Sequence, residues 1–210
     1  MEKKRMKLNK LIPVVAALGL AVSGAFGAAG TFGSFVQIDG TWFQTVNPGA
    51  IQITDFDTAD LGDFALSSTH EITGASLLIF KNSGSDVTGA EIQWRVYSGA
   101  PAGAFTTVGI GFGGEDPTTD PAGNTYPEDF SNNQNWQSTG FTQDFTSSLL
   151  AGDYTLEVFY RGTTAADGPI FSNNGGNNFT ATFTVVPEPA TMALFGMGLA
   201  GLFVARRRRA

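Results

Sequence analysis

Residues 153–161 read DYTLEVFYR, and their alternation sets the fold class. Tyr154, Leu156, Val158 and Tyr160 fall on one side of an extended chain, and Thr155, Glu157 and Phe159 on the other. Side chains two apart share a face only in a strand, so this is a strand with one buried face. Working outward, NFTATFTVV at 178–186 repeats the pattern. Upstream, ITGASLLIFKN, TGAEIQWRVYS and FTTVGIG form a central group of strands with turn residues between them. Near the start of the body, FGSFVQI and TWFQT flank Asp39-Gly40, a pair suited to the two positive φ angles of a type I′ hairpin turn. No segment carries a long helical period.

About nine short strands, separated by Gly, Asn, Asp and Pro, imply an all-β fold: an antiparallel two-sheet sandwich of jelly-roll or immunoglobulin-like topology. Its texture loosely resembles extracellular bacterial β-sandwich modules. The sequence divides into 1–29, a signal peptide; 30–185, the exported sandwich; and 186–210, a sorting segment. The first, MEKKRMKLNK followed by LIPVVAALGLAVSGAFGAAG, has the basic, apolar and small-residue order of a secretory signal, with cleavage after Gly27 or Ala29. An N-terminal signal helix and a C-terminal transmembrane helix are therefore expected to flank the sandwich.

Charge narrows the functional classes. Of nineteen acidic residues only Glu2 and Glu188 lie outside 30–185, whereas Lys81, Arg95 and Arg161 are the sole basic residues within it, giving that body a formal charge of −14. Neutralising nucleic-acid phosphates needs the opposite balance, so nucleic acid is excluded as a partner. The chain has no cysteine and one histidine, which removes disulfides, thiolate metal sites and histidine-rich zinc sites. His70, in SSTHEITG, reads as a structural residue at a strand start.

The tail VPEPATMALFGMGLAGLFVARRRRA is built in three parts. Pro187 and Pro189 force an extended approach. Residues 190–205 carry no charge and would make a helix of about 24 Å, which with a short extension crosses a bilayer core of roughly 30 Å. Arg206, Arg207, Arg208 and Arg209 then act as a membrane stop. In this order the residues Val186, Pro187, Glu188, Pro189, Ala190 and Thr191, the apolar run and the basic end resemble the PEP-CTERM sorting signal read by exosortases in Gram-negative bacteria. The resemblance implies that Pro187, Glu188 and Pro189 are recognised by the processing enzyme. It also implies a transient inner-membrane stage with the body in the periplasm, followed by delivery to the outer envelope, cell surface or extracellular matrix. The expected role is a noncatalytic envelope or matrix protein associated with exopolysaccharide.

Two segments of the body carry candidate chemistry. ITDFDTADLGDF places Asp55, Asp57, Asp60 and Asp63 within nine positions, an oxygen-rich run of the kind that wraps calcium, although without EF-hand spacing. Calcium is the one candidate cofactor. GFGGEDPTTDPAGNTYPEDFSNNQNW, residues 111–136, reads as a long functional loop. Trp136 and Tyr126 offer aromatic faces for a sugar ring, and Asn133 and Asn135 offer amides for its hydroxyls. Trp42 could contribute similarly, while Trp94 alternates within EIQWRVY and reads as packing. The alternative function is a secreted carbohydrate-active enzyme drawing on Glu115, Asp116, Asp120, Glu128 and Asp129 in the same loop, which would need two carboxyls at a defined separation.

Overall fold

The computed structural model describes residues 29–49, 52–80, 87–165 and 168–188, together with Met197. Its strands are β1 (Gly30–Ile38), β2 (Thr41–Val46), β3 (Ala59–Ala65), β4 (Glu71–Phe80), β5 (Val87–Tyr97), β6 (Thr106–Ile110), β7 (Phe112–Glu115), β8 (Asn133–Asp144), β9 (Gly152–Thr164), β10 (Pro169–Ser172) and β11 (Phe179–Val186). The first sheet has the order β2-β1-β4-β8-β7 and the second β3-β11-β9-β5-β6, with β10 also paired to β9. An all-β two-sheet sandwich is therefore the architecture.

The expected hairpin forms as read. Ile38 faces Thr41 across a two-residue turn in which Asp39 and Gly40 have φ of 48° and 82°. In β9, Leu156, Val158 and Tyr160 are fully buried between the sheets. Phe179, Ala181, Phe183 and Val185 of β11 join them, leaving Thr180, Thr182 and Thr184 on the outer side. From the first sheet, Ala75, Leu77 and Ile79 of β4 enter the same core. Leu78, one residue out of phase, points the other way into a second cluster with Phe35, Tyr126 and Phe130.

Two expectations are corrected. The sheets are not wholly antiparallel, because β3 pairs parallel with β11. That pairing is set by the segment before it: Thr58 N–H donates to the Thr180 carbonyl at 2.7 Å, and the Asp57 carboxylate accepts from Thr180 N–H at 2.9 Å. The flanking signal helix and transmembrane helix are the second correction. Among the described residues no helix is long and apolar enough to cross a membrane, and the helical element of the sandwich is a single 3-10 turn, Asn174–Gly176. The transient inner-membrane stage that the sorting-signal resemblance implied is corrected on the same finding, having no membrane-crossing helix among the described residues to rest on. Residues 1–28 of the signal peptide, Pro189, the apolar run 190–205 apart from Met197, and Arg206, Arg207, Arg208 and Arg209 lie outside the described residues.

Candidate functional site

The long loop is structural where it was expected to be open. Its first residues form β7 and its last belong to β8, so the irregular part is the stretch between Asp116 and Asn132. Asp120, only 3 % exposed, organises that stretch: one carboxylate oxygen accepts from Ala122 and Asn124 N–H at 2.9 and 2.8 Å, and the other from the Asn124 amide at 2.7 Å. Asp116 accepts from Asn132 N–H, Asp129 from Ser131, and Glu115 from the Gln134 amide. Tyr126 and Phe130 meet edge to face at 4.9 Å and cover Phe35 and Leu78 on the outside of the first sheet. A cleft of about 170 Å³ remains, bounded by residues such as Asp116, Thr118, Glu128 and Ser131.

The predicted sugar residues are consequently dispersed. Trp136 is 8 % exposed, faces the inter-sheet core and lies edge-on to Phe112 at 5.4 Å. Tyr126 is 6 % exposed, and burial followed by the negative charge of Asp120 pushes its phenol well above the ordinary range. Asn133 and Asn135 sit on the other face of β8 from Trp136, because strand neighbours alternate. Asn135 accepts from the Ser76 hydroxyl at 3.1 Å and donates to the Gln137 carboxamide at 3.3 Å.

The four aspartates also separate. Asp55 accepts from the Gln44 amide, Asp57 holds Thr180 and Asn174, and Asp60 caps Gly62 N–H at 2.9 Å. Asp63 lies in β3 opposite Thr184. Among the described residues no three acidic or histidine side chains come together to hold a metal ion. His70 stacks on Phe64 with ring centres 3.7 Å apart and bonds through Nδ1 to Asp39 at 2.5 Å. The other oxygen of Asp39 accepts from Glu71 N–H at 2.8 Å, so the pair fastens the β1–β2 turn to the start of β4.

The arrangement that the sequence did not single out is on the outer face of the first sheet. There Gln37, Trp42, Ser76, Asn135, Gln137 and Thr139 come from β1, β2, β4 and β8. Gln37 faces Trp42 on one side and Gly74 on the other, and Gly74 in turn faces Thr139. The signal was the glycine inside ITGASLLIF, since a glycine within a strand marks close approach by something else.

At the end of the sandwich, β11 finishes at Val186, whose carbonyl accepts from Leu66 N–H at 2.7 Å, and the next residues, Pro187 and Glu188, are exposed. A family model described as the PEP-CTERM protein-sorting motif matches residues 185–209. No curated protein matches the chain significantly. The chain therefore carries, beginning at the end of β11, a PEP-CTERM protein-sorting motif, consistent with an exosortase substrate.

Proposed function

We propose that this is a noncatalytic exported protein, processed by an exosortase around Pro187, Glu188 and Pro189, whose sandwich is displayed at the cell surface or in the extracellular matrix in association with exopolysaccharide. The observation that carries the reading is the junction: the sorting motif starts at residue 185, inside the final strand, with Pro187 and Glu188 exposed beyond it. A recognition element placed there is presented by a folded module, and the motif itself is a signal with no catalytic residues. The matrix role is supported by the acidity of the body, which disfavours polyanionic partners, and by the uncharged hydrogen-bonding face of the first sheet.

The test is to express the full chain in a Gram-negative host with and without its exosortase and to determine the mass and location of the product. Processing near Pro187–Pro189, with release or surface display only in the host that has the enzyme, is the expected result. Glu188→Ala should leave the chain unprocessed. Identical mass and location in both hosts would overturn the proposal.

A further inference from the structure

From the outer face of the first sheet we infer a binding site for an uncharged polysaccharide, with Trp42 as its platform and Gln37, Asn135 and Gln137 as its hydrogen-bonding groups. The inference rests on the matrix reading above and gives it a place on the molecule.

The platform follows from strand geometry. Trp42 is on edge strand β2, Gln37 opposite it is on β1, and Gly74 is on β4, one strand further. A Cβ built at Gly74 would lie 3.1 Å from Cη2 of Trp42. Two strand spacings amount to roughly 9.5 Å. An indole covers that span only by lying along the sheet, not by standing on it. Trp42 is half-buried, as a ring with one face on the sheet and the other toward solvent must be. The absence of a side chain at residue 74 makes room for it.

The polar partners are arranged beside this ring. The Gln37 carboxamide donates to the Gly40 carbonyl at 3.0 Å and accepts from the Thr73 hydroxyl at 3.1 Å, which fixes its orientation. Further along, the Ser76 hydroxyl donates to Asn135, whose amide donates to the Gln137 oxygen. This chain ends at the Gln137 amide nitrogen, which makes no hydrogen bond among the described residues. Gln137 faces Ser76 and Thr139 faces Gly74, so both follow β8 past the indole. Tyr126 and Phe130 close the neighbouring part of the face over Phe35 and Leu78, and Trp42 packs at the border of that cluster.

The chemistry selects the occupant. A pyranose presents an apolar CH face to an aromatic ring and a rim of hydroxyls that both donate and accept. A carboxamide likewise does both. Gln37, Trp42, Ser76, Asn135, Gln137 and Thr139 are all uncharged, so nothing here pairs with a carboxylate or sulfate, and the formal charge of −14 on the body repels acidic polymers. By contrast, the aromatic patch outside the second sheet is already occupied by its own ions: Arg95 lies over Phe105 at 4.3 Å and pairs with Glu157 at 2.8 Å.

Affinity electrophoresis of the full chain tests the site, in native gels containing galactomannan as the neutral polymer or alginate as the anionic one. The expected result is retardation by galactomannan and none by alginate. Apparent affinity should fall at least tenfold in Trp42→Ala and several-fold in Gln137→Ala, and should be unchanged in Phe171→Ala, on the other sheet. Gln137 is only partly buried and outside the aromatic cluster, so that variant decides the matter if Trp42→Ala does not fold. No retardation of the wild type by galactomannan, equal retardation by alginate, or wild-type behaviour of Gln137→Ala would overturn the site. Exosortase-dependent processing of the same chain would survive any of these results, so the two proposals fail separately.

Discussion

Trp42 lies across Gly74, two strands away from its own backbone. A methyl group at residue 74 would sit 3.1 Å from the indole, 2.9 Å from the Gln37 carboxamide oxygen and 2.9 Å from the Ser138 carbonyl. The last of these is main chain and cannot swing aside, so Gly74→Ala must displace the sheet as well as the ring. Overpacking of this kind costs about 1–3 kcal/mol. Urea denaturation should show that loss together with a shift in tryptophan emission, and a change below about 0.5 kcal/mol would contradict the contact.

Arg95 and Glu157 make the second prediction. Glu157 has a side chain 5 % exposed, accepts from Arg95 at 2.8 Å and takes a further hydrogen bond from the Asn178 amide. Removing the guanidinium strands a carboxylate away from water. Arg95→Met should therefore cost about 3 kcal/mol, and adding Glu157→Gln to it should recover most of the loss, since the carboxamide needs no counter-charge. A double-mutant cycle measures this directly, and additive losses would refute it.

Alkaline titration tests the buried phenols. Burial raises Tyr126, with Asp120 as a second cause, and burial raises Tyr160. Each native phenol stays neutral where the unfolded one ionises, so its contribution is complete below pH 10, the ordinary tyrosine value, and is lost as pH climbs beyond it. Tyr126→Phe should flatten the fall in unfolding free energy above pH 10 by about 1.4 kcal/mol per pH unit. At neutral pH the same substitution should be neutral or mildly stabilising, because the Tyr126 hydroxyl is buried without a hydrogen-bond partner among the described residues.

Asp57 joins the β2–β3 connection to β11 through Thr180 N–H at 2.9 Å and to the 3-10 turn before it through the Asn174 amide at 3.0 Å. Asp57→Ala should cost about 1–2 kcal/mol by leaving that backbone donor unpaired. Thermal melts of the variant and the wild type in calcium and in EDTA should differ by the same amount. A loss seen only with calcium present would restore the ion-binding reading of ITDFDTADLGDF.

Local signals carried much of this fold. Asp39-Gly40 announced its own turn, and DYTLEVFYR and NFTATFTVV showed which face was buried, because period-two patterning needs no knowledge of the partner strand. Strand β3 was hidden, since ADLGDFA has little alternation and finds its partner β11 more than a hundred residues away. The loop aromatics misled for a similar reason: Tyr126 and Phe130 pack on Phe35 and Leu78, which nothing local to the loop reveals. In NQNWQSTG the flanking residues of Trp136 are polar on both faces, so pattern alone could not say that the indole points inward. Of the Trp42 face, the sequence offered Trp42 and Asn135 as separate candidates and a glycine in an otherwise bulky strand, but nothing local joined them across β1, β2, β4 and β8.

Strand β11 is an interior strand, bonded to β3 along one edge and to β9 along the other, and the sorting motif begins within its last two residues. A molecule held by that end has no slack to absorb tension. Pulling along the strand axis loads both ladders in shear, so their hydrogen bonds resist together instead of unzipping in succession. A load applied at Val186 is thus resisted by both ladders at once, and tension on that end of the sandwich is borne by the sheet itself.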